Sequence, residues 1–405
     1  NIIIIYYKGF VLTKYMLSEN MDALGTENAF IVLARAAELE RQGHKVINLG
    51  IGQPDFKTAD HIVEAAIKAL KDGHHGYTPG NGILELRESV AADIHKRHNV
   101  EINPDQVVIV PGGKVTMWHC MLMFGGRGKE ILYPNPGFPI YESAIKFSGA
   151  KAVPIPLLES TNFSFNLEET LSLINNNTSL IIINSPANPT GGLIKKELLD
   201  QLVKKLEEFP NVCILSDEIY SHIVYENKFH SMLNYQSILD RLIILDGWSK
   251  TYAMTGWRIG YGIWPLQLAE KATRLNINSV SCTNAATQYA AIAALDGPQD
   301  QIKRMLNQFE KRKKIIVEKT NLIPGMSSKM PQGAFYTMPN ITKTKLNSRE
   351  MEHLLLEELK IATVAGTSFG KYGEGYIRFS YANSEENIIE ALDRIHEYAI
   401  NNNWG

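Results

Sequence analysis

The sequence predicts an α/β protein with a large domain, a mostly parallel sheet between helices, and a smaller α+β domain. Three observations predict it. From Lys45 onward, short runs rich in Val and Ile alternate with longer amphipathic stretches, as strands do when helices carry the chain over into a parallel sheet. After Ile323-Pro324-Gly325 that order gives way to short strands and helices of an α+β composition. At 405 residues the chain also exceeds what a single hydrophobic core organises, so two unequal domains are expected.

The strands read most clearly at 107–110, 130–133, 180–183, 212–215, 242–245 and 258–263. Between them, 60–70 repeats Ile62, Ala65, Ala66, Ala69 and Leu70 at helical spacing, and 166–174 opens on Asn166, a residue suited to cap a helix. The stretch 299–320 is charged with an apolar stripe and reads as a helix linking the domains. Beyond it the sequence predicts a strand at 333–338, a helix at 348–360, two further short strands and a last helix at 384–400.

Composition excludes several functions. Lys+Arg 41 against Asp+Glu 43 leaves a net charge of -2, too balanced to steer nucleic acid. Cys120, Cys213 and Cys282 form no Cys-x-x-Cys, which excludes a disulfide framework and a zinc ribbon and points to a reducing, cytoplasmic setting. No run of ~18 apolar residues is present to span a bilayer. Ile2 to Tyr7 form a greasy segment, but Lys8 and Lys14 follow it, the wrong order for a secretory leader. His74-His75 and His119-Cys120 lack metal-ligand spacing with other donors, so both read as structural and no metal is expected.

Four polar loops follow buried strands, and in an open α/β sheet ligands collect at the carboxyl ends of strands. The loops are therefore expected to converge. Pro111-Gly112-Gly113-Lys114 opens a helix, and glycines at such a turn let backbone N–H groups hold a phosphate, although a plain helix entry would look the same. Asn184-Ser185-Pro186-Ala187-Asn188-Pro189-Thr190-Gly191-Gly192 is a rigid turn able to present one Asn side chain. Ser216-Asp217-Glu218-Ile219-Tyr220 sets a carboxylate just past an apolar strand, where it needs a cation or proton donor unless it merely caps a helix.

The fourth loop runs from Asp246 to Tyr261. Its Lys250 sits among aromatic and small residues, and poor solvation favours the neutral amine that a Schiff base requires. Arg258, further along, is a permanent cation for an anionic group on the same ligand. A dinucleotide reading of Gly50-Ile51-Gly52 fails, because Asp55 stands where a third glycine belongs and Pro54 interrupts the turn.

These residues are the inventory that pyridoxal phosphate asks for. In Asn188-Pro189-Thr190-Gly191, Ser216 to Tyr220 and Ser249-Lys250 to Gly260, taken in that order, the chain resembles the class I and II aminotransferases of fold type I, and among them the bacterial aspartate aminotransferase type, over roughly residues 30–398. The resemblance implies that Lys250 carries pyridoxal 5'-phosphate covalently, that Asp217 keeps its ring nitrogen protonated, and that Tyr220 and Asn188 bond its phenolic oxygen. Phe138 would stack on the ring, a task suited to a π-face. Gly113 and Lys114 backbone groups with Arg258 would hold the phosphate, and Tyr77 would reach it from the neighbouring subunit of a homodimer. Arg378, in Tyr376-Ile377-Arg378-Phe379, matches the arginine that grips the substrate carboxylate, and Gly52 the mobile stretch that closes over substrate. Many relatives carry a hydroxyl residue where Gly247 stands here, so a phosphate contact is either missing or supplied by Ser249.

With the resemblance, the expected division is residues 56–298 for the large domain, 21–55 with 299–405 for the small one, and 1–20 as a disordered N-terminal extension. The expected activity is ping-pong transfer of an amino group between an L-amino acid and a 2-oxo acid, with glutamate and 2-oxoglutarate as one pair and aspartate as second donor. A lyase on the same cofactor is the nearest alternative. An aminotransferase-like sensor is another, but about twenty residues before the fold are expected to leave no room for its DNA-binding domain. An acidic substrate needs a second cation, for which Lys14, Arg35 and Arg274 are candidates from closing or neighbouring-subunit segments, although each is more simply a surface charge. Phe138, Ile51 and Tyr15 would instead suit the aromatic or aliphatic side chains of a broad-range enzyme.

Overall fold

A computed structural model describes residues 17–225 and 228–405. The expected extension therefore divides: residues 1–16, with Lys14 and Tyr15, lie outside the described residues, whereas Glu19–Ala23 already forms a 3-10 turn. Helix α1 (Asn28–Arg41), strand β1 (Ile47–Asn48), α2 (Asp60–Lys71) and α3 (Leu84–His98) follow. The chain then alternates through β2 (Val107–Val110), α4 (Lys114–Phe124), β3 (Glu130–Asn135), α5 (Ile140–Phe147), β4 (Lys151–Leu158), β5 (Ser164–Phe165), α6 (Leu167–Ser172), β6 (Thr178–Asn184) and α7 (Lys196–Leu206). It continues through β7 (Cys213–Asp217), β8 (Leu242–Gly247), the single turn α8 (Trp248–Thr251) and β9 (Gly260–Ile263) before α9 (Leu266–Val280) and α10 (Ala285–Asp296).

Among the described residues β2 to β9 form one eight-stranded sheet in the order β2-β9-β8-β7-β6-β3-β4-β5. Strands β8, β7, β6, β3 and β4 are parallel neighbours, and β9 runs antiparallel to both β2 and β8. The period-two alternation of strand side chains sends Ile181, Ile183, Ile214 and Ile244 to one core with α2, α3, α7 and α10, and Leu180, Ile182, Leu215, Ile243 and Leu245 to another with α4, α5 and α9. Each such Leu or Ile stabilises the fold by about 1.5–3 kcal/mol relative to an exposed one, so the sheet is a stiff platform for the loops at its edge. Asn166 caps α6 as expected, accepting from Glu169 N at 3.0 Å.

A third core gathers α11 (Asp300–Leu322), β10 (Tyr336–Thr337), α12 (Ser348–Glu357), β11 (Ile361–Ala362), β13 (Ile377–Ser380) and α13 (Glu385–Asn401), and β12 (Val364–Ala365) pairs antiparallel with β13. Helix α11 is more than a link. Its Met305, Phe309, Ile316 and Val317 are buried in this core, and its Arg312 pairs with Asp55 at 2.7 Å. The stretch before α2 joins the same unit because β1 pairs in parallel with β11, Ile47 opposite Ile361. The strand expected at 333–338 shrinks to β10, since Gly333 is drawn off to bridge Val224 and bond Gly191. Helix α12 stops before Lys360, whose φ of 59° is left-handed and cannot continue it.

Candidate active site

Strands β6, β7 and β8 are parallel, and β2 shares their direction because β9 opposes both β2 and β8. Their carboxyl ends lie on one edge. The four loops singled out in the sequence open there into a cavity of about 530 Å³, walled on the other side by Ile51, Gly52, Tyr336 and Arg378.

Asp217, the last residue of β7, is 7% exposed. Burial pushes its carboxyl up to about 6, opposed by a hydrogen bond from Tyr141 OH at 2.5 Å, by the Ile219 amide and by the charge of Lys250. The adjoining loop is tied to it, because Asn184 donates to Asp217 O at 3.1 Å and accepts from Asn188 N at 3.0 Å. Tyr220 is buried, with its hydroxyl 2.9 Å from that of Tyr336.

Lys250 rises from α8, which begins directly where β8 ends. Its Nζ donates to Gly52 O at 2.6 Å, and burial, followed by the nearby charge of Arg378, holds the amine down to about 8. Gly247 has a packing cause: a Cβ there would lie 2.7 Å from Gly260 Cα on β9, so no hydroxyl residue fits, and the neighbouring hydroxyl in the cavity wall is that of Ser249. Arg258 adopts φ 54°, donates to Thr255 O at 2.7 Å and lies against the Gly112-Gly113 turn so closely that a Cβ on Gly112 would collide with Nη2. Among the described residues no carboxylate pairs with it.

Arg378 on β13 is 3% exposed. Nη1 donates to Asn188 Oδ1 at 3.0 Å, Nη2 donates to Gly50 O, and the guanidinium lies 4.6 Å from the Tyr336 ring centre and 4.7 Å from that of Phe369. Among the described residues its Nε is buried with no partner. A buried guanidinium with an orphaned donor is costly unless a ligand completes it.

The cavity thus brings together Gly52, Gly113, Lys114, Phe138, Asn188, Asp217, Tyr220, Ser249, Lys250, Arg258 and Arg378. Tyr77 stands apart, 92% exposed. Of the second-cation sources, Arg35 pairs with Glu38 and Glu357 and Arg274 with Glu270, as surface charges do, and neither lines this chain's own cavity. The cation that does is the Lys114 side chain, 5.2 Å from the Phe138 ring centre and 3.1 Å from Glu27. Sequence reasoning also passed over Tyr141, Asn184, Tyr336 and Glu27. For Tyr141 a signal exists, since it follows Phe138 by about one helical turn and so faces the same way. Glu27 and Tyr336 sit in no motif.

The chain is similar to known proteins over nearly its whole length. The family model for aminotransferase class I and II matches residues 44–395. The chain is 37% identical over 385 residues to an aspartate aminotransferase of Pyrococcus horikoshii, covering 94% of this chain and 97% of the relative. It is 36% identical over 354 residues to aromatic-amino-acid aminotransferase 2 of Thermococcus litoralis, covering 86% and 90%. The solved aspartate aminotransferase of Rhizobium meliloti superposes with a TM-score of 0.91 at 30% identity, over 96% of this chain and all of that one.

Proposed function

The chain belongs to the class I and II aminotransferases, and from that premise we propose that it binds pyridoxal 5'-phosphate at Lys250 and moves amino groups between an L-amino acid and a 2-oxo acid in ping-pong fashion, as a homodimer. The observation that carries the reading is the meeting, in one cavity, of a buried carboxylate at Asp217, a depressed amine at Lys250 and a buried guanidinium at Arg378 whose Nε lacks a partner.

The donor set fits the cofactor. The Gly113 and Lys114 amides at the start of α4, the Ser249 hydroxyl and Arg258 suit its phosphate, Asp217 its ring nitrogen, Tyr220 and Asn188 its phenolic oxygen, and Phe138 its face. When bound, the cofactor supplies a carbonyl for amine exchange and a ring that withdraws electrons from the substrate's α-carbon.

The chain's own residues do the rest. Arg378 takes the substrate carboxylate through its planar fork, which satisfies Nε and fixes the α-carbon. Lys250 would serve as the base, its depressed proton affinity letting Nζ take and return the α-proton near neutral pH. Asp217, an anion above about pH 6, would hold a proton on the ring nitrogen. Tyr336 and Ile51 help to enclose the cavity against water. For substrates, the names of the relatives favour aspartate or a broad range that includes aromatic amino acids, and Lys114 is the cation for a distal carboxylate.

The test is stoichiometric. With 15N-glutamate and oxaloacetate, the account predicts 15N-aspartate and 2-oxoglutarate in equal amounts, whereas ammonia released without a new amino acid would contradict it.

A further inference from the structure

Glu27 occupies the cap position of α1, yet its side chain makes no capping bond. Its carboxylate turns into the cavity and meets Lys114 Nζ at 3.1 Å, with 13% of the side chain exposed. The other cations of the cavity are engaged differently: Arg378 with Asn188 and Gly50, Lys250 with Gly52, Arg258 with Thr255. The segment that carries Glu27 is held on both sides, by Gly25 N donating to Ser143 Oγ at 2.8 Å and by the Asn28 side chain 3.0 Å from Ser368 Oγ. Only the Glu27 side chain needs to move for Lys114 to change partner.

We propose that Glu27 is a specificity-determining residue that stands in for a substrate's distal carboxylate. Paired with Lys114 it keeps that end of the cavity neutral, as an aromatic or aliphatic side chain beside Phe138 requires. An acidic side chain takes Lys114 for itself and expels Glu27, because two carboxylates on one ammonium would leave an uncompensated charge in a half-buried site. One pocket then admits both substrate classes, and the Glu27–Lys114 pair sets the ratio between them. This rests on the aminotransferase reading of the cavity.

Unreactive analogues that lack an amino group test it by binding alone. Succinate and 3-phenylpropionate are titrated calorimetrically into the cofactor-loaded wild type, Glu27→Gln and Lys114→Met. Glu27→Gln keeps the shape and frees the charge of Lys114, so succinate tightens about tenfold while 3-phenylpropionate weakens, because its ring then meets an unpaired ammonium. Lys114→Met removes the cation and leaves Glu27 uncompensated, so succinate weakens by more than about tenfold and 3-phenylpropionate weakens by a smaller factor. An equal change for both analogues in Glu27→Gln would overturn the proposal, since a residue that only shapes the segment acts on both alike. Failure of wild type to bind either analogue would overturn the aminotransferase reading, and this proposal with it.

Discussion

Tyr141, in the first turn of α5, donates its hydroxyl proton to Asp217, the last residue of β7, across 2.5 Å. The bond favours the Asp217 anion against the burial that opposes it. Hydrogen bonds to charged groups contribute about 1.5–3 kcal/mol, so Tyr141→Phe should lower kcat by about tenfold or more. It should also move the acid limb of the pH–rate profile upward, because the anion is then lost at a higher pH. An acid limb that stays in place would separate Tyr141 from the work of Asp217.

Asp217→Asn should separate stability from activity. The folded carboxyl titrates at about 6, above its ordinary 3.8, so the folded chain binds that proton more tightly than the unfolded chain. This contribution to stability is full below 3.8 and is lost as pH rises through about 6. At pH 8 the cofactor-free wild type therefore bears the cost of a buried charge, and the neutral isostere should be more stable by roughly 3 kcal/mol while turnover falls at least about a hundredfold. Denaturant melts of both proteins at pH 8 check it. Equal stability would mean that the charge is already compensated.

Arg378→Lys keeps the charge and loses the planar fork, including the orphaned Nε. Single-turnover kcat/KM for an amino acid should fall by about a hundredfold, roughly two charge-assisted hydrogen bonds. A simple amine without a carboxylate should react equally with both proteins. A comparable loss for that amine would show that the arginine supports the fold instead.

Tyr77 is 92% exposed and outside its own chain's cavity. If it serves the partner's phosphate site, Tyr77→Phe and Lys250→Ala subunits, each impaired alone, should regain activity when mixed and reassembled, because one of the two sites is then intact. Mixtures no more active than their parts would count against shared sites.

How much of this was legible in sequence depended on pattern. Strands β2, β6, β7 and β8 were plain because a strand buried on both faces must be apolar throughout. Strand β4 escaped because Pro154 and Pro156 cannot donate to a ladder, yet its hydrogen-bonded neighbours β3 and β5 hold it. The loops at strand ends declared themselves by Gly, Pro, Asp and Lys at turns. Glu27 and Tyr336 could not, since tertiary packing alone brings them to the cavity. Lys114 was read for its backbone amide, while its side chain found Glu27 from a segment that shows no motif at all.

Lys250 is the residue proposed to hold the cofactor. Loading the protein with pyridoxal 5'-phosphate, reducing it with borohydride and mapping the digest by mass spectrometry tests this most directly. The account predicts the reduced cofactor on the peptide containing Lys250, with no such adduct in Lys250→Ala. Stoichiometric labelling of any other lysine, with Lys250 unmodified, would contradict it.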